Sequence, residues 1–158
     1  MAAVSDSSPI IALARCGRLD LLEQLYGRIW IPEAVRDEIA VGGAGSDAAQ
    51  DVSWIQARPV VDRARVGLLY RELDAGESEA IALALETPDI EAVILDDAQA
   101  RRRALGLGLS VTGTAGLFVA AKARGLVGSV RQALDDLRAV GFYLDDVVYA
   151  RALQRAGE

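Results

Sequence analysis

Two short apolar segments that end at aspartates constrain the fold of this chain more than any other feature. Residues 92–95 are four consecutive apolar residues followed by Asp96 and Asp97. The segment 3–5 leads in a similar way to Asp6. Short apolar runs of this kind are typical of strands buried in a parallel sheet. Since an aspartate packs badly in a core but is tolerated in a cleft, we expect both strands to end at a cleft.

Segments with helical periodicity alternate with predicted strands along the whole chain. Further β-rich runs occupy residues 28–31 and 109–114. Residues 59–62 are predicted to form a strand or an extended segment, and a loop is predicted over residues 42–46. This alternation predicts an α/β fold with a mainly parallel sheet and right-handed crossovers. The length suits a single domain over residues 1–158. In such sheets, ligands bind at the carboxyl ends of the strands.

The lack of histidine limits the chemistry open to this chain. The sequence has no histidine and one cysteine, Cys16. Histidine general bases, Ser-His-Asp and Cys-His nucleophiles and histidine metal sites are therefore excluded. A single cysteine forms neither an internal disulfide nor a cysteine-based zinc site. An enzyme of this composition must use carboxylates, arginine, hydroxyl groups or a bound metal.

The net charge of −6 argues against non-specific nucleic-acid binding by the whole surface, although it allows a local basic patch. Sixteen of the seventeen basic residues are arginine, the exception being Lys122. Arginine suits phosphate contacts, but a high arginine content can equally reflect genome composition. No apolar run approaches the roughly 20 residues that cross a bilayer, and the N-terminus lacks the features of a secretory signal. We therefore expect a cytoplasmic location and no membrane contact.

Three glutamates add to the strand-end aspartates. Glu38 lies at the edge of the helix face that Val35 and Ile39 mark as buried, and Glu77 and Glu79 open a later apolar helix. Carboxylates from strand ends and helices can converge on one edge of a parallel sheet. Such a cluster repels itself unless a cation neutralises it, and Mg²⁺ and Mn²⁺ prefer oxygen ligands.

Each of these acidic residues also has a simpler interpretation. Asp6 and Asp97 occupy positions where helix caps are expected, and Glu38 fits a solvated helix face. Acidic residues such as Glu77 and Glu79 are favoured by the helix dipole in a first turn. The spacing alone leaves both interpretations open.

A series of motifs bears on the choice between a metal site and simple helix capping. Asp6 is followed directly by SSPIIALARCGRLDLLEQLYG, and the chain then reads IPEAVRDEI, LDAGESEAIALALE, ILDDAQAR, TGTAGL and LDDLRAVGFYL in that order. In these motifs it resembles PIN-domain proteins, and more closely a bacterial and archaeal branch of predicted nucleic-acid-binding proteins. The resemblance covers nearly the whole chain. It implies a three-layer α/β/α domain with a central parallel sheet.

The resemblance also implies an activity and a set of site residues. Family members are often Mg²⁺- or Mn²⁺-dependent ribonucleases, and many are toxins held by a small antitoxin protein. Carried over by motif, the first aspartate is Asp6, the helix glutamate is Glu38 and the last aspartate is Asp97. The third acidic position falls in GESEA, where this chain departs from the commoner aspartate. Glu77 and Glu79 therefore compete for that position.

We accordingly expect an endoribonuclease that uses one or two divalent metals. The expected metal ligands are Asp6, Asp96, Asp97 and Glu79. Glu38 and either Glu79 or Glu77 would bind metal or orient the attacking water, whose pKa the metal would lower.

Four polar residues near these acids are candidate substrate contacts. Ser7 could hydrogen-bond a phosphate or cap the first helix. Arg101 could hold a phosphate or pair with Asp97, although a run of arginines is often a solvated helix face. Thr112 and Thr114 could orient Asp97 or bind metal-bound water.

Two other classes of function remain open. A PIN-like binding module with weak or no catalysis would recognise RNA or a protein, and it predicts an incomplete metal cluster. A phosphotransfer domain needs a lysine near the aspartates, and Lys122 lies in an apolar helix. The expected partners of the nuclease are its RNA substrate and a small antitoxin or a second copy of the chain, held by an exposed apolar face of the C-terminal helices.

Overall fold

The computed structural model describes residues 1–43 and 45–158. Its strands form one parallel sheet in the order β3-β2-β1-β4-β5. The strands are β1 (Ala3–Ser5), β2 (Ile29–Ile31), β3 (Ile55–Ala57), β4 (Ala92–Ile94) and β5 (Val111–Thr112).

Ten helices flank this sheet within the described ranges. They are α1 (Ser7–Arg15), α2 (Asp20–Tyr26), α3 (Glu33–Ala40), α4 (Ser46–Gln50), α5 (Arg63–Leu69), α6 (Ala75–Glu86), α7 (Ala98–Gly106), α8 (Thr114–Ala123), α9 (Val130–Ala139) and α10 (Asp146–Arg155). In the described part of the chain, none of these helices is long and apolar enough to cross a membrane.

Successive side chains of the central strands enter two different cores. Ala3 and Ile94 are fully buried against the layer that contains α1, α2, α8, α9 and α10. Val4 and Val93 are fully buried against the opposite layer of α5, α6 and α7. This is the two-residue alternation of a strand covered on both faces. The fold is therefore a three-layer α/β/α arrangement, as predicted.

The direction of strand addition reverses between β1 and β4. The chain builds β2 and β3 on one side of β1 and then returns to place β4 and β5 on the other side. Ser5 lies in register with Ile94, and the backbone N–H of Asp6 donates to the Ile94 carbonyl at 3.1 Å. Connections that leave in opposite directions open a crevice at the carboxyl ends of such a strand pair. Asp6 therefore lies where a ligand site is expected.

Of the two alternatives predicted for residues 59–62, a strand or an extended segment, the strand is wrong. The edge strand is β3 at residues 55–57, with Ile55 half-buried and Gln56 and Ala57 exposed. An exposed edge strand carries little apolar signal, which explains the error. The loop predicted over residues 42–46 includes position 44, which lies outside the described residues.

Candidate functional site: an acidic cluster at the carboxyl edge of the sheet

Asp6 lies at the carboxyl end of β1 and caps α1. Its Oδ1 accepts a hydrogen bond of 2.8 Å from the Ser7 backbone N–H, and only 7% of the residue is exposed. Helix α1 thus begins at Ser7, and its cap is Asp6 rather than Ser7. The pKa of Asp6 is raised from 3.8 to about 7, chiefly by burial and then by three neighbouring carboxylates, against the lowering effect of that hydrogen bond. The surroundings of Asp6 therefore disfavour its negative charge.

Glu38 reaches the same space from α3. A Cβ atom at Gly76 would lie 2.6 Å from Glu38 Oε1 and 2.9 Å from Asp6 Oδ1. The two carboxylates therefore converge on the first turn of α6, where a residue without a side chain makes room for them. The Ser7 hydroxyl donates to Glu38 Oε2 and so links α1 to α3.

The first turn of α6 contributes two more acids. Asp74 Oδ1 accepts from the Glu77 backbone N–H at 2.8 Å, and Glu77 Oε2 accepts from the Asp74 N–H at 3.2 Å. This reciprocal pair is a capping box. Desolvation raises the pKa of Glu77 against the lowering effect of that Asp74 N–H, and the charges of Asp74, Asp97 and Glu38 raise it further. Asp74 was missed by the sequence interpretation, although the D-x-x-E spacing is a capping-box signature that indicates both residues.

Asp97 completes the group from the other side of β1. It is exposed and caps α7, and its Oδ2 accepts from the Ala100 N–H at 2.9 Å. Its negative charge raises the pKa of Glu77 across the crevice. The acidic cluster, as we use the term below, consists of Asp6, Glu38, Asp74, Glu77 and Asp97. Within the described ranges, no basic side chain forms an ion pair with any of its members.

The acidic cluster has the donor chemistry of a hard-cation site, but its side chains are not arranged around one ion. Among the described residues, no three or more His, Cys, Asp or Glu side chains are positioned to hold a metal ion. Asp6 and Glu38 approach a common point, whereas Glu77 and Asp97 are engaged as helix caps. Carboxylate oxygens are nevertheless the ligands that Mg²⁺ and Mn²⁺ prefer. The residues present therefore fit such a cation, with two ligands already close together.

Asp96 differs from its neighbour Asp97 in being held by protein donors. Its Oδ1 accepts from the Thr114 N–H at 2.8 Å and its Oδ2 from the Thr114 hydroxyl at 2.7 Å. Burial raises the pKa of Asp96, and these two hydrogen bonds and the charge of Arg101 lower it. Arg101 also donates to the Leu95 carbonyl at 2.8 Å. Asp96 thus forms a polar group with Thr114 and Arg101 that partly compensates its negative charge.

Glu79 lies one turn further along α6 and is also held by protein donors. It is 9% exposed, and its Oε1 accepts from the Ala34 N–H at 3.2 Å. Arg63 Nη2 lies 3.4 Å from Glu79 Oε2. Since Pro32 provides no side-chain cap for α3, Glu79 supplies an acceptor for an N–H of that helix's first turn. These contacts tie α6 to α3 and α5.

The two remaining predicted site residues, Thr112 and Thr114, make different contacts. Thr114 is fully buried and donates to Asp96 rather than to Asp97, the partner that the sequence suggests. Thr112 is half-buried, and its hydroxyl lies 3.4 Å from the Gly113 carbonyl.

The lysine required by the phosphotransfer hypothesis lies elsewhere. Lys122 Nζ is 2.9 Å from Glu158 Oε2, in an ion pair between α8 and the C-terminus. Neither residue lines a cleft beside the aspartates. The structure therefore offers no support for a phosphotransfer site built on this lysine.

Two clefts flank Asp96 and Asp97. The first, of about 540 Å³, is bordered by α1 and by residues 140–143. The second, of about 640 Å³, is bordered by α7, α8 and α10. Both clefts are lined by the two aspartates and by Phe142 and Tyr143. Asp97, a member of the acidic cluster, is therefore accessible from either side of residues 142–143.

Comparison with known proteins identifies the family of this chain. A family model described as a PIN domain matches residues 2–158. No curated protein and no solved structure matches the chain. PIN domains are generally nucleases and typically use divalent metals. Because the match extends over nearly its whole length, the chain belongs to the PIN-domain family.

Proposed function

We propose that this protein is a divalent-metal-dependent endoribonuclease whose active site is the acidic cluster. The observation that carries the proposal is the approach of Asp6 and Glu38 to one point beside Gly76. Like charges on buried Asp6 and half-buried Glu38 are unfavourable without a counter-charge, and within the described residues no ion pair joins a basic side chain to either carboxylate. Mg²⁺ or Mn²⁺ would provide that counter-charge.

Asp6, Glu38, Glu77 and Asp97 are the residues that we propose to hold the metal. We choose Glu77 over Glu79 because Glu77 is coupled electrostatically to Asp6 and Asp97, whereas Glu79 contacts Arg63 and the start of α3. We leave Asp96 out because Thr114 already donates a hydrogen bond to each of its oxygens. Binding requires rearrangement of Glu77 and Asp97, which rotations of these part-exposed side chains allow.

The roles of the chain's own groups follow from their contacts. A bound divalent ion supplies a water molecule of lowered pKa and stabilises charge on the scissile phosphate and the leaving oxygen. Ser7 orients Glu38 through its hydroxyl. We propose that Glu38, so oriented, positions the attacking water. Asp6 is held by the N–H of Ser7 at the end of a buried strand, so its carboxylate is fixed before any ligand arrives.

A cleavage assay tests the proposal. The purified protein should cleave single-stranded RNA in Mn²⁺ and lose that activity in EDTA. Asp6→Asn keeps the size of the side chain but removes its charge, so cleavage should fall by at least about 10²-fold. Asp20→Asn, an exposed change on α2, is the matched control and should cleave like wild type. Equal cleavage by wild type and Asp6→Asn would mean a contaminating nuclease or a site elsewhere.

A catalytically weak binding module is the second candidate, and one observation favours it. The described residues contain no three side chains already arranged around an ion. This candidate predicts RNA binding that is unchanged by Mn²⁺ and no cleavage. The assay above separates it from the nuclease.

A toxin role is a further proposal that requires nuclease activity in the cell. Expression of the wild-type chain should then arrest growth, and Asp6→Asn should relieve the arrest. Co-expression of a small protein encoded beside this gene should also relieve it. Growth arrest by wild type and Asp6→Asn alike would contradict a toxin role based on cleavage.

A further inference from the structure

Tyr143 is an exposed aromatic side chain between the two clefts. It is 84% exposed and lines both clefts, whereas its neighbour Phe142 is half-buried and packs against the core. The Phe142 N–H donates to the Leu137 carbonyl at 3.1 Å, which fixes the backbone just before the exposed ring. Within the described residues, the Tyr143 hydroxyl has no hydrogen-bond partner. Packing and hydrogen bonding inside this chain therefore do not account for the ring's position.

Two arginines line the second cleft without acidic partners. Arg151 and Arg155 lie four residues apart on α10, so they project from the same face of the helix. Neither forms an ion pair or a side-chain hydrogen bond with the residues that the structure describes. By contrast, Arg138 pairs with Asp146 at 3.0 Å near the start of the same helix. In a chain with 23 acidic and 17 basic residues, unpaired arginines beside a cleft suggest an external anion.

The second cleft connects these arginines to the acidic cluster. Asp97 lies among its lining residues together with Arg151, Arg155 and Tyr143. Asp145 also lines this cleft, but its Oδ1 accepts from the Val147 N–H at 2.7 Å as the cap of α10. The volume of about 640 Å³ is in the usual range for ligand pockets. A polyanion in this cleft would therefore run from the arginines to Asp97.

We propose that Tyr143, Arg151 and Arg155 form the path along which this site takes its RNA, with the strand passing over Tyr143 from one cleft to the other. One base would stack on the Tyr143 ring, and Arg151 and Arg155 would contact phosphates on one side of it. Stacking on a side chain requires a base that is free of its own helix, so this arrangement selects single strands over duplexes. The inference rests on the proposed ribonuclease function and specifies how that site takes its substrate.

Binding measurements in EDTA test the stacking role apart from cleavage. The probe is a fluorescein-labelled 12-nucleotide RNA without self-complementarity, read by fluorescence anisotropy. Tyr143→Ala should weaken its Kd by about 5- to 150-fold, the range for loss of one stacked base. Tyr143→Phe keeps the ring and should bind like wild type. Tyr70→Ala is the matched control, since Tyr70 is 61% exposed but lines neither cleft.

The salt dependence of binding tests the arginines. The slope of the logarithm of the binding constant against the logarithm of the salt concentration should decrease in magnitude by about 0.7 for each phosphate that the protein no longer neutralises. The double variant Arg151→Ala, Arg155→Ala should therefore reduce that slope by about 1.4. Arg102→Ala should leave it unchanged, because Arg102 is exposed but lines neither cleft.

The outcomes separate this inference from the proposed function. Tight single-strand binding that depends on Tyr143 and falls when the RNA is annealed to its complement supports it, with or without cleavage in Mn²⁺. Unchanged binding by both Tyr143→Ala and the double arginine variant overturns it, even if the protein cleaves RNA. Equal affinity for the duplex also overturns it. If the wild type binds no RNA at any salt concentration, the inference fails. The exposed Tyr143 ring would then be a contact for a protein partner.

Discussion

Asp6 and Asp96 follow adjacent strands at the same edge of the sheet, but their surroundings differ. Burial raises the pKa of Asp96 above its ordinary value, but two hydrogen bonds from Thr114 and the charge of Arg101 oppose that rise. Asp6 accepts one hydrogen bond from the Ser7 N–H, and the charged groups that act on it are three further carboxylates. The protein therefore compensates the negative charge of Asp96 more fully than that of Asp6.

The same difference separates two glutamates on α6. Glu79 accepts from the Ala34 N–H and lies beside Arg63, whereas Glu77 faces acidic neighbours and bonds with the backbone N–H of its own helix cap. Position at the sheet edge is thus a weaker guide to function than the charge of the neighbours. We expect loss of a compensated acid to affect stability and loss of an uncompensated acid to affect metal binding and cleavage.

The largest expected effect is on cleavage, and it separates Glu77 from Glu79. Glu77→Gln keeps an oxygen for the capping box but removes a ligand charge, so cleavage in Mn²⁺ should fall by at least about 10²-fold. Glu79→Gln keeps the acceptor for the Ala34 N–H and should retain cleavage within a few-fold of wild type. Initial rates on one single-stranded RNA measure both. The reverse result would assign the ligand position to Glu79.

The next largest effect is on the free energy of unfolding, when Asp96 loses one of its hydrogen-bond donors. Thr114→Val keeps the shape of a fully buried side chain but removes the hydroxyl that donates to Asp96. The loss of the donor to Asp96 Oδ2 should lower the free energy of unfolding by about 1–3 kcal/mol. Urea unfolding in EDTA measures the loss, and Thr114→Ser, which keeps the hydroxyl, should lose less. A Thr114→Val protein as stable as wild type would mean that the hydroxyl does not compensate Asp96.

A pH series sharpens the comparison on the Asp6 side. The pKa of Asp6 is about 7 in the folded protein and 3.8 ordinarily, so between these values the folded state holds a proton that the unfolded chain releases. The free energy of unfolding from this group therefore falls as pH rises through this window, by at most about 1.4 kcal/mol per pH unit. Asp6→Asn should become progressively more stable relative to metal-free wild type between pH 4 and 7. A difference that does not change with pH would show that Asp6 titrates normally.

The smallest expected effect comes from Gly76→Ala. The new Cβ would lie 2.6 Å from Glu38 Oε1 and 2.9 Å from Asp6 Oδ1, so both carboxylates must shift. Because these are the ends of side chains and alanine favours helices, the protein should still fold, with a melting temperature in EDTA within a few degrees of wild type. Cleavage should fall by about tenfold through displacement of the ligands. Gly67→Ala is a matched control, since no atom lies within 4 Å of a Cβ there.

The sequence predicts the central strands better than the edge of the sheet. Strands β1 and β4 are buried on both faces, so their apolar runs and terminal aspartates are visible in the sequence. Strand β3 pairs only with β2 and exposes Gln56 and Ala57, which leaves no such pattern. The three-layer fold could therefore be predicted, whereas the position of its outer strand could not.

Within the candidate site, the sequence identifies acids but not their partners. The motifs indicate Asp6, Glu38 and Asp97, and the structure places all three in the acidic cluster. They do not distinguish Glu77 from Glu79, because the difference depends on how α5 brings Arg63 to α6. A partner sixteen residues away, on another helix, is a matter of tertiary packing and has no local signal.

Thermal melts with and without Mn²⁺ test the central claim most directly, namely that the acidic cluster holds a divalent cation. An ion that binds only the folded state should stabilise wild type by about 2.7 kcal/mol at a hundredfold excess over its Kd. For a chain of this length, that corresponds to roughly 5–11 °C in Tm. Asp6→Asn and Asp97→Asn should melt in EDTA at or above the wild-type temperature and lose most of the Mn²⁺ gain. No shift of wild type at millimolar Mn²⁺, or an equal shift of all three proteins, would contradict the account.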